Sequence, residues 1–226
     1  MVSSGSWPDS TEGLSLLQRE LARARPPSWR APARPYAIGG CYVCFAHGAR
    51  GVRDELGWAG AAVVLDSRIL ATAVTSRHAP GDYEPGLLAL REGPLLEAAV
   101  RALPRAPEVL LVNATGRDHP RGAGLALHLG AVLDLPTAGV THRPLLARGE
   151  WPADEPGAHS DLALDGVTVG CWLRTRRRAR PLAVHPGWRT DLDTACAVVL
   201  AAVGRVRAPE PLREARRLAR RARAGL

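Results

Sequence analysis

The chain has 226 residues, 46% of them hydrophobic, and a formal charge of +8. That length suits one domain over 1–226 with a core of its own, and no run of about 18 to 20 apolar residues is present to span a bilayer. All 30 basic residues are arginine, which excludes a lysine Schiff base and a lysine general base. The first nine or so residues read as a polar tail without the basic-then-apolar order of a signal peptide, so a cytoplasmic protein without membrane contact is expected. A Lys-free chain rich in Ala, Arg, Pro and Gly has the composition of a GC-rich, actinobacterial-like genome. Its arginines read either as solvated charge or as a surface for an acidic ligand. Cys41, Cys44, Cys171 and Cys196 are scattered, as reduced core thiols are, and do not form a disulfide framework.

Asp9 or Ser10 can cap a first amphipathic helix that carries Leu14, Leu17 and Leu21 on one face and ends before Pro26 and Pro27. A Pro-rich connection leads to a strand over 36–45. Two more strands, 58–65 and 69–76, join through a tight turn at Asp66 and Ser67 to complete an antiparallel meander. The loop APGDYEPG precedes a helix over 87–103. The next segment, EVLLVNATGRDHPR over 108–121, organises the chain. Four apolar residues, 109–112, suit a central strand covered on both faces. Ligands collect at the carboxyl ends of such strands, so Asn113, Thr115, Gly116, His119 and Arg121 are candidate site residues.

A helix over 122–133, a short strand over 137–140 and the basic turn THRP follow. Residues 145–165 read mostly as loop. Segments 167–174 and 181–185 suggest a hairpin near the sheet edge, tipped by Arg176, Arg177 and Arg178. An apolar helix over 192–203 and an Arg-rich helix over about 210–224 end the chain. Antiparallel strands followed by β-α-β order describe a mixed α/β sheet with helices on both faces.

Five ordered segments, AIGGCYVCF, DYEPGLLALREGPLL, LLVNATGRDHPRGAGLALHLG, LDLPTAGVTHRPL and GWRTDLDTA, resemble endonuclease V, a metal-dependent nuclease that cuts near deaminated bases in DNA or RNA. The resemblance covers roughly residues 12 to 212 and implies a ribonuclease H-like fold. It also implies that two metal-binding Asp positions of the family are here Tyr42 and Asn113. A lysine position becomes His142, a histidine position becomes Trp188, and Glu92 and Asp193 are the acids that remain. The family's strand-separating loop corresponds to Asp82, Tyr83, Glu84 and Pro85, whose two acids repel phosphate. Its base-recognition turn corresponds to Ala114, Thr115 and Gly116, whose added side chains narrow a purine pocket.

A site of Tyr42, Glu92 and Asn113 offers one strong anionic ligand, whereas Mg²⁺ and Mn²⁺ favour several hard, anionic oxygens. No metal and no cofactor is expected on this reading. A zinc set from His47, His78, His119, His142 and Cys44 lacks close ligand spacing. Cys41 and Cys44, three apart on a strand, face opposite sides. His119 and Arg121 read equally as anion ligands or as caps of the following helix. Arg121, His142 and Arg143 form either a basic pocket for phosphate, sulfate or carboxylate, or a set of solvated turn residues. Glu92 is the candidate general base, with Tyr42 and His142 as further proton-moving groups.

The expectation is therefore a repurposed pseudo-nuclease. It would act on a small phosphorylated or sulfated molecule in specialised-metabolite biosynthesis, by metal-free elimination or displacement, with Tyr83, Trp188 and Asp193 among its ligand-binding residues and a heteromeric partner plausible. Its alternatives are a silent binder of deaminated or branched nucleic acid and a residual deoxyinosine-type endonuclease.

Overall fold

The computed structural model describes residues 7–33 and 35–225, so most of the expected N-terminal tail lies outside the described residues. Eight strands form one mixed sheet in the order β3-β2-β1-β4-β5-β8-β7-β6. They are β1 (Ile38–Phe45), β2 (Leu56–Leu65), β3 (Arg68–His78), β4 (Val109–Val112), β5 (Thr137–Thr141), β6 (His159–Leu164), β7 (Val167–Leu173) and β8 (Leu182–Pro186). The first three strands are the antiparallel meander, turned at Asp66 and Ser67, both with positive φ. β4 lies parallel to β1 and to β5, and β8, β7 and β6 continue antiparallel. Among the described residues, no helix is long and apolar enough to cross a membrane.

Two departures from the sequence reading have plain causes. The segment expected to be loop contains β6, an edge strand that buries only Leu162 fully and otherwise shows polar or half-exposed side chains. The expected pairing of 167–174 with 181–185 forms as β7 with β8, and β6 adds outside it as the edge strand through a turn at Asp165 and Gly166, both at positive φ. The helix expected from residue 122 begins at Leu125, because Gly122 sits at φ +71° and Gly124 takes the N-cap.

Helices α1 (Thr11–Arg23), α2 (Leu88–Arg101) and α3 (Leu125–Leu133) cover one face, where Leu14, Leu95, Leu110, Val112 and Leu129 pack together. Ser10 caps α1 by accepting a hydrogen bond from the Gly13 amide at 3.1 Å. Helices α4 (Leu192–Ala201) and α5 (Glu210–Arg223) cover the other face over Ile38, Val109, Leu111 and Val184. Side chains alternate faces along a strand, so Cys41 joins the α2 side while Tyr42 faces α5. α5 lies directly on β1 and β2 because Gly40 and Gly60 have no Cβ; one at either position would strike the α5 backbone at Pro211 or Ala215. This close approach brings the Arg213 and Arg216 side chains of α5 to the carboxyl end of β1 and β4.

Candidate functional site

Of the three parallel strands β1, β4 and β5, the central one, β4, ends first. The register pairs Cys41 of β1 with Val112 of β4, so Tyr42 and Asn113 stand side by side one step further along. Both line a cavity of about 220 Å³ roofed by Leu212, Arg213 and Arg216 and closed at one side by His142. The Arg216 guanidinium lies 5.7 Å from the centre of the Tyr42 ring, within cation–π range. Among the described residues, neither Arg213 nor Arg216 has an ion pair or side-chain hydrogen bond, and both charges are available to a ligand. The sequence leaves the arginines open between solvated charge and a surface for an acidic ligand, and both of these are exposed as well as lining the cavity. Their position at the cavity follows from the glycines on β1 and β2, which fix the helix against the sheet.

His142 Nδ1 stands 2.7 Å from Arg207 Nη2. A guanidinium only donates, so Nδ1 accepts and the remaining proton sits on Nε2. Burial, then Arg207 and Arg216, hold the imidazole below its ordinary pKa, and at neutral pH it offers a neutral N–H donor instead of a cation.

A second cavity, of about 280 Å³, adjoins the first and shares Asn113 and Thr141 with it. Its walls are the loop Tyr83, Glu84, Pro85 and Gly86, the start of α2 at Leu88 and Ala89, the turn Ala114 and Thr115, and the segment Arg143, Pro144 and Leu145. Ala114 and Thr115 form part of its wall. Tyr83 is 58% exposed at its mouth. Gly116 does not line it; a Cβ there would strike the Pro186 carbonyl, so the residue serves close packing of the turn on β8.

His119 and Arg121 neither cap α3 nor form an open anion site with His142. His119 Nε2 donates to the Gly86 carbonyl at 3.0 Å, and its Nδ1 accepts from the Arg121 amide at 3.2 Å. Burial lowers its pKa to about 4, so the neutral tautomer persists at pH 7. Arg121 Nη2 donates to the same carbonyl and Nε to Gln18 Oε1, each at 2.6 Å. Gly86, at φ +80°, aims its carbonyl at these donors and at Gln18 Nε2. The DHPR segment therefore ties the Tyr83 loop to α1. Arg143, by contrast, lines the larger cavity.

Two unanticipated residues shape the same walls. Asp118 is fully buried and accepts from the amides of Leu145, Leu146 and Ala147 at 2.6, 2.9 and 2.8 Å. Its signal in the sequence was an acid directly before the His-Pro-Arg run. Arg91, 2% exposed, donates to the carbonyls of Val52 and Gly81, pairs with Glu55 and stacks 4.0 Å over Phe45. It thereby holds the base of the Tyr83 loop.

Glu92 is half-buried on α2, and burial pushes its pKa up to about 7 against the lowering effect of Arg91. It lies beside Cys41, whose thiol is pushed up by burial and then by the Glu92 charge. Neither cavity is lined by it. Trp188 and Asp193 stand away from the cleft. Trp188 packs against Leu21, Leu127 and Ala131, and its amide donates to Thr137 at the opposite end of β5 from Thr141. Asp193 is exposed in the first turn of α4. The four cysteines are free and buried.

The donor set fits a divalent cation poorly. Tyr42 and Asn113 bring a phenol and an amide where a divalent cation favours carboxylates, Glu92 lies outside both cavities with its pKa pushed up to about 7 by burial, and Arg216 places positive charge against Tyr42. Among the described residues, no group of three His, Cys, Asp or Glu side chains could hold a metal ion.

The family model described as Endonuclease V matches residues 23–217. An Endonuclease V from Azotobacter vinelandii is 37% identical over 220 residues, covering 96% of each chain. One from Thermus thermophilus is 47% identical over 146 residues, 64% of this chain and 65% of that protein; the match thus spans just under two thirds of that relative's length. The crystal structure of Endonuclease V from Streptomyces avermitilis superposes with a TM-score of 0.87 at 34% identity, covering 97% of this chain and 96% of that one. These findings overturn the expectation of a pseudo-nuclease turned to small phosphorylated or sulfated substrates in biosynthesis, and of the partner subunit attached to it, since proteins matched along the whole chain bear the name of a nuclease. By sequence and by fold, this chain belongs to the endonuclease V family.

Proposed function

We propose that the chain is a deoxyinosine-type endonuclease V protein that recognises a deaminated base in nucleic acid and cuts beside it slowly. The observation that carries this reading is the pair of adjoining cavities sharing Asn113 and Thr141. A flipped base suits the larger one, which combines apolar walls at Leu88, Ala89 and Leu125 with the polar Gln18 and Thr115. The neighbouring phosphate suits the smaller one, where Arg213, Arg216 and the His142 Nε2–H converge. Tyr83, exposed at the mouth, is placed to fill the gap a displaced base leaves in the stack. The net charge of +8 favours a polyanion.

Slow cutting follows from the donor set. The family's two metal-binding Asp positions hold Tyr42 and Asn113, and Glu92 lines neither cavity, which supports a slow cleavage step. Binding does not share that limit, because the groups assigned to it are arginines, a neutral histidine and a preformed cavity. Fluorescence anisotropy with an inosine-containing duplex and its adenosine-containing counterpart tests the reading. A preference of about tenfold, or 1.4 kcal/mol, is expected for inosine; equal affinity overturns it.

A further inference from the structure

A shallow groove of about 420 Å³ continues from the cleft across the turn after β5, sharing His142 with the smaller cavity and Arg143 with the larger. Arg143, Arg148 and Arg180 line it, all exposed and, among the described residues, without ion pairs, and no acidic side chain does. At its far side stands Trp151, 53% exposed. The surrounding fold holds this ring in place. Trp172 meets it edge-on at 6.3 Å and is itself fixed by donating to the Gly149 carbonyl. Arg174, only 7% exposed, donates to the Pro152 and Ala153 carbonyls just after Trp151 and lies 5.9 Å from the ring centre. An aromatic ring of this size ordinarily turns inward; here a buried arginine and a second tryptophan support it while half its surface meets solvent.

We propose that this groove binds the unpaired stretch of a nucleic-acid strand leaving the cleft, with one base stacked on Trp151 and its phosphates on Arg143, Arg148 and Arg180. Aromatic faces and unpaired guanidinium groups in one charged groove are what a single strand requires, because stacking accepts every base and arginine follows the backbone. The inference rests on the nucleic-acid reading of the cleft. It adds a docking site, outside both cavities, for the strand beyond the deaminated base.

The test measures binding of the full chain to an inosine-containing duplex that is blunt or carries a six-nucleotide single-stranded extension on either side of the inosine strand, made of DNA or of RNA. One extension is expected to tighten binding by about tenfold, in keeping with stacking of one base. Trp151→Ala is expected to remove that gain and leave blunt-duplex affinity unchanged, while Trp151→Phe keeps most of it. Replacing Arg148 and Arg180, which line the groove and neither cavity of the cleft, with Gln is expected to flatten the salt dependence of the extended substrate alone, by about 0.7 for each phosphate that is no longer neutralised. No gain from any extension, or equal loss by Trp151→Ala on blunt and extended substrates, overturns the proposal. Absence of inosine preference on the blunt duplex strikes the cleft reading instead, so the two failures are separable. The DNA and RNA arms identify which strand the groove accepts.

Discussion

Glu92 provides a prediction whose size follows from its surroundings. Burial moves its pKa from 4.5 to about 7, with Arg91 opposing the shift. Between those values the native protein keeps a proton that the unfolded chain has released, so stability falls as pH rises through that window and is level above it. At 1.36 kcal/mol per pK unit the full effect is about 3 kcal/mol, an upper value because the side chain is half-buried. Glu92→Gln has no charge to bury. Urea unfolding is therefore expected to find the variant equal to the native chain below pH 4.5 and more stable by up to about 3 kcal/mol at pH 8. A difference that does not change with pH, or a variant less stable at pH 8, refutes the reasoning and shows that the carboxylate is compensated when charged.

Three other perturbations follow from the walls of the cleft. Arg91→Ala leaves Glu55 and the Val52 and Gly81 carbonyls without their donor; a loss of about 3 to 5 kcal/mol is expected in urea unfolding, with early proteolysis in 46–55 and 79–86. Asp118→Ala frees three amides, one buried and two part-buried, and hydrogen exchange at 145–147 is expected to accelerate while global stability drops by about 1 to 3 kcal/mol. Exchange as slow as in the native chain would show that water replaces the carboxylate without cost. Replacing Arg213 and Arg216 with Gln is expected to reduce the slope of log affinity against log salt by about 2 on an inosine duplex; an unchanged slope removes both from the phosphate site.

The central strand and the turn after it were legible because a four-residue apolar run followed by Asn, Gly, His and Arg has few other readings. The meander was legible for a similar reason, since the pair Asp66 and Ser67 interrupts two alternating strands. β6 was not, because an edge strand that buries one leucine has almost no periodic signal; the Asp165-Gly166 turn ahead of VTVGCWL was the cue for a hairpin. Trp188 looked like a site residue by position along the chain, yet β8 runs antiparallel to β5 and delivers it to the wrong end of the sheet. Arg213 and Arg216 lie in a helix with four more arginines, and composition cannot say which of them face a cavity. That depended on a helix pressed against Gly40 and Gly60, a contact between residues far apart in the chain. His119 and Arg121 were recognised as polar and special, but their partner, the Gly86 carbonyl, is a backbone atom that no side-chain pattern announces.

Cleavage of an inosine-containing duplex in Mg²⁺ and in Mn²⁺ tests the account most directly. The native chain is to be compared with a variant carrying Tyr42→Asp and Asn113→Asp together with Arg216→Ala, which clears the guanidinium from the restored acids. The account predicts preferential binding of inosine and slow cutting by the native chain, with a rise of at least about tenfold in the variant, equivalent to 1.4 kcal/mol off the barrier. A native chain that cuts as fast as the variant, or that does not distinguish inosine from adenosine, contradicts it.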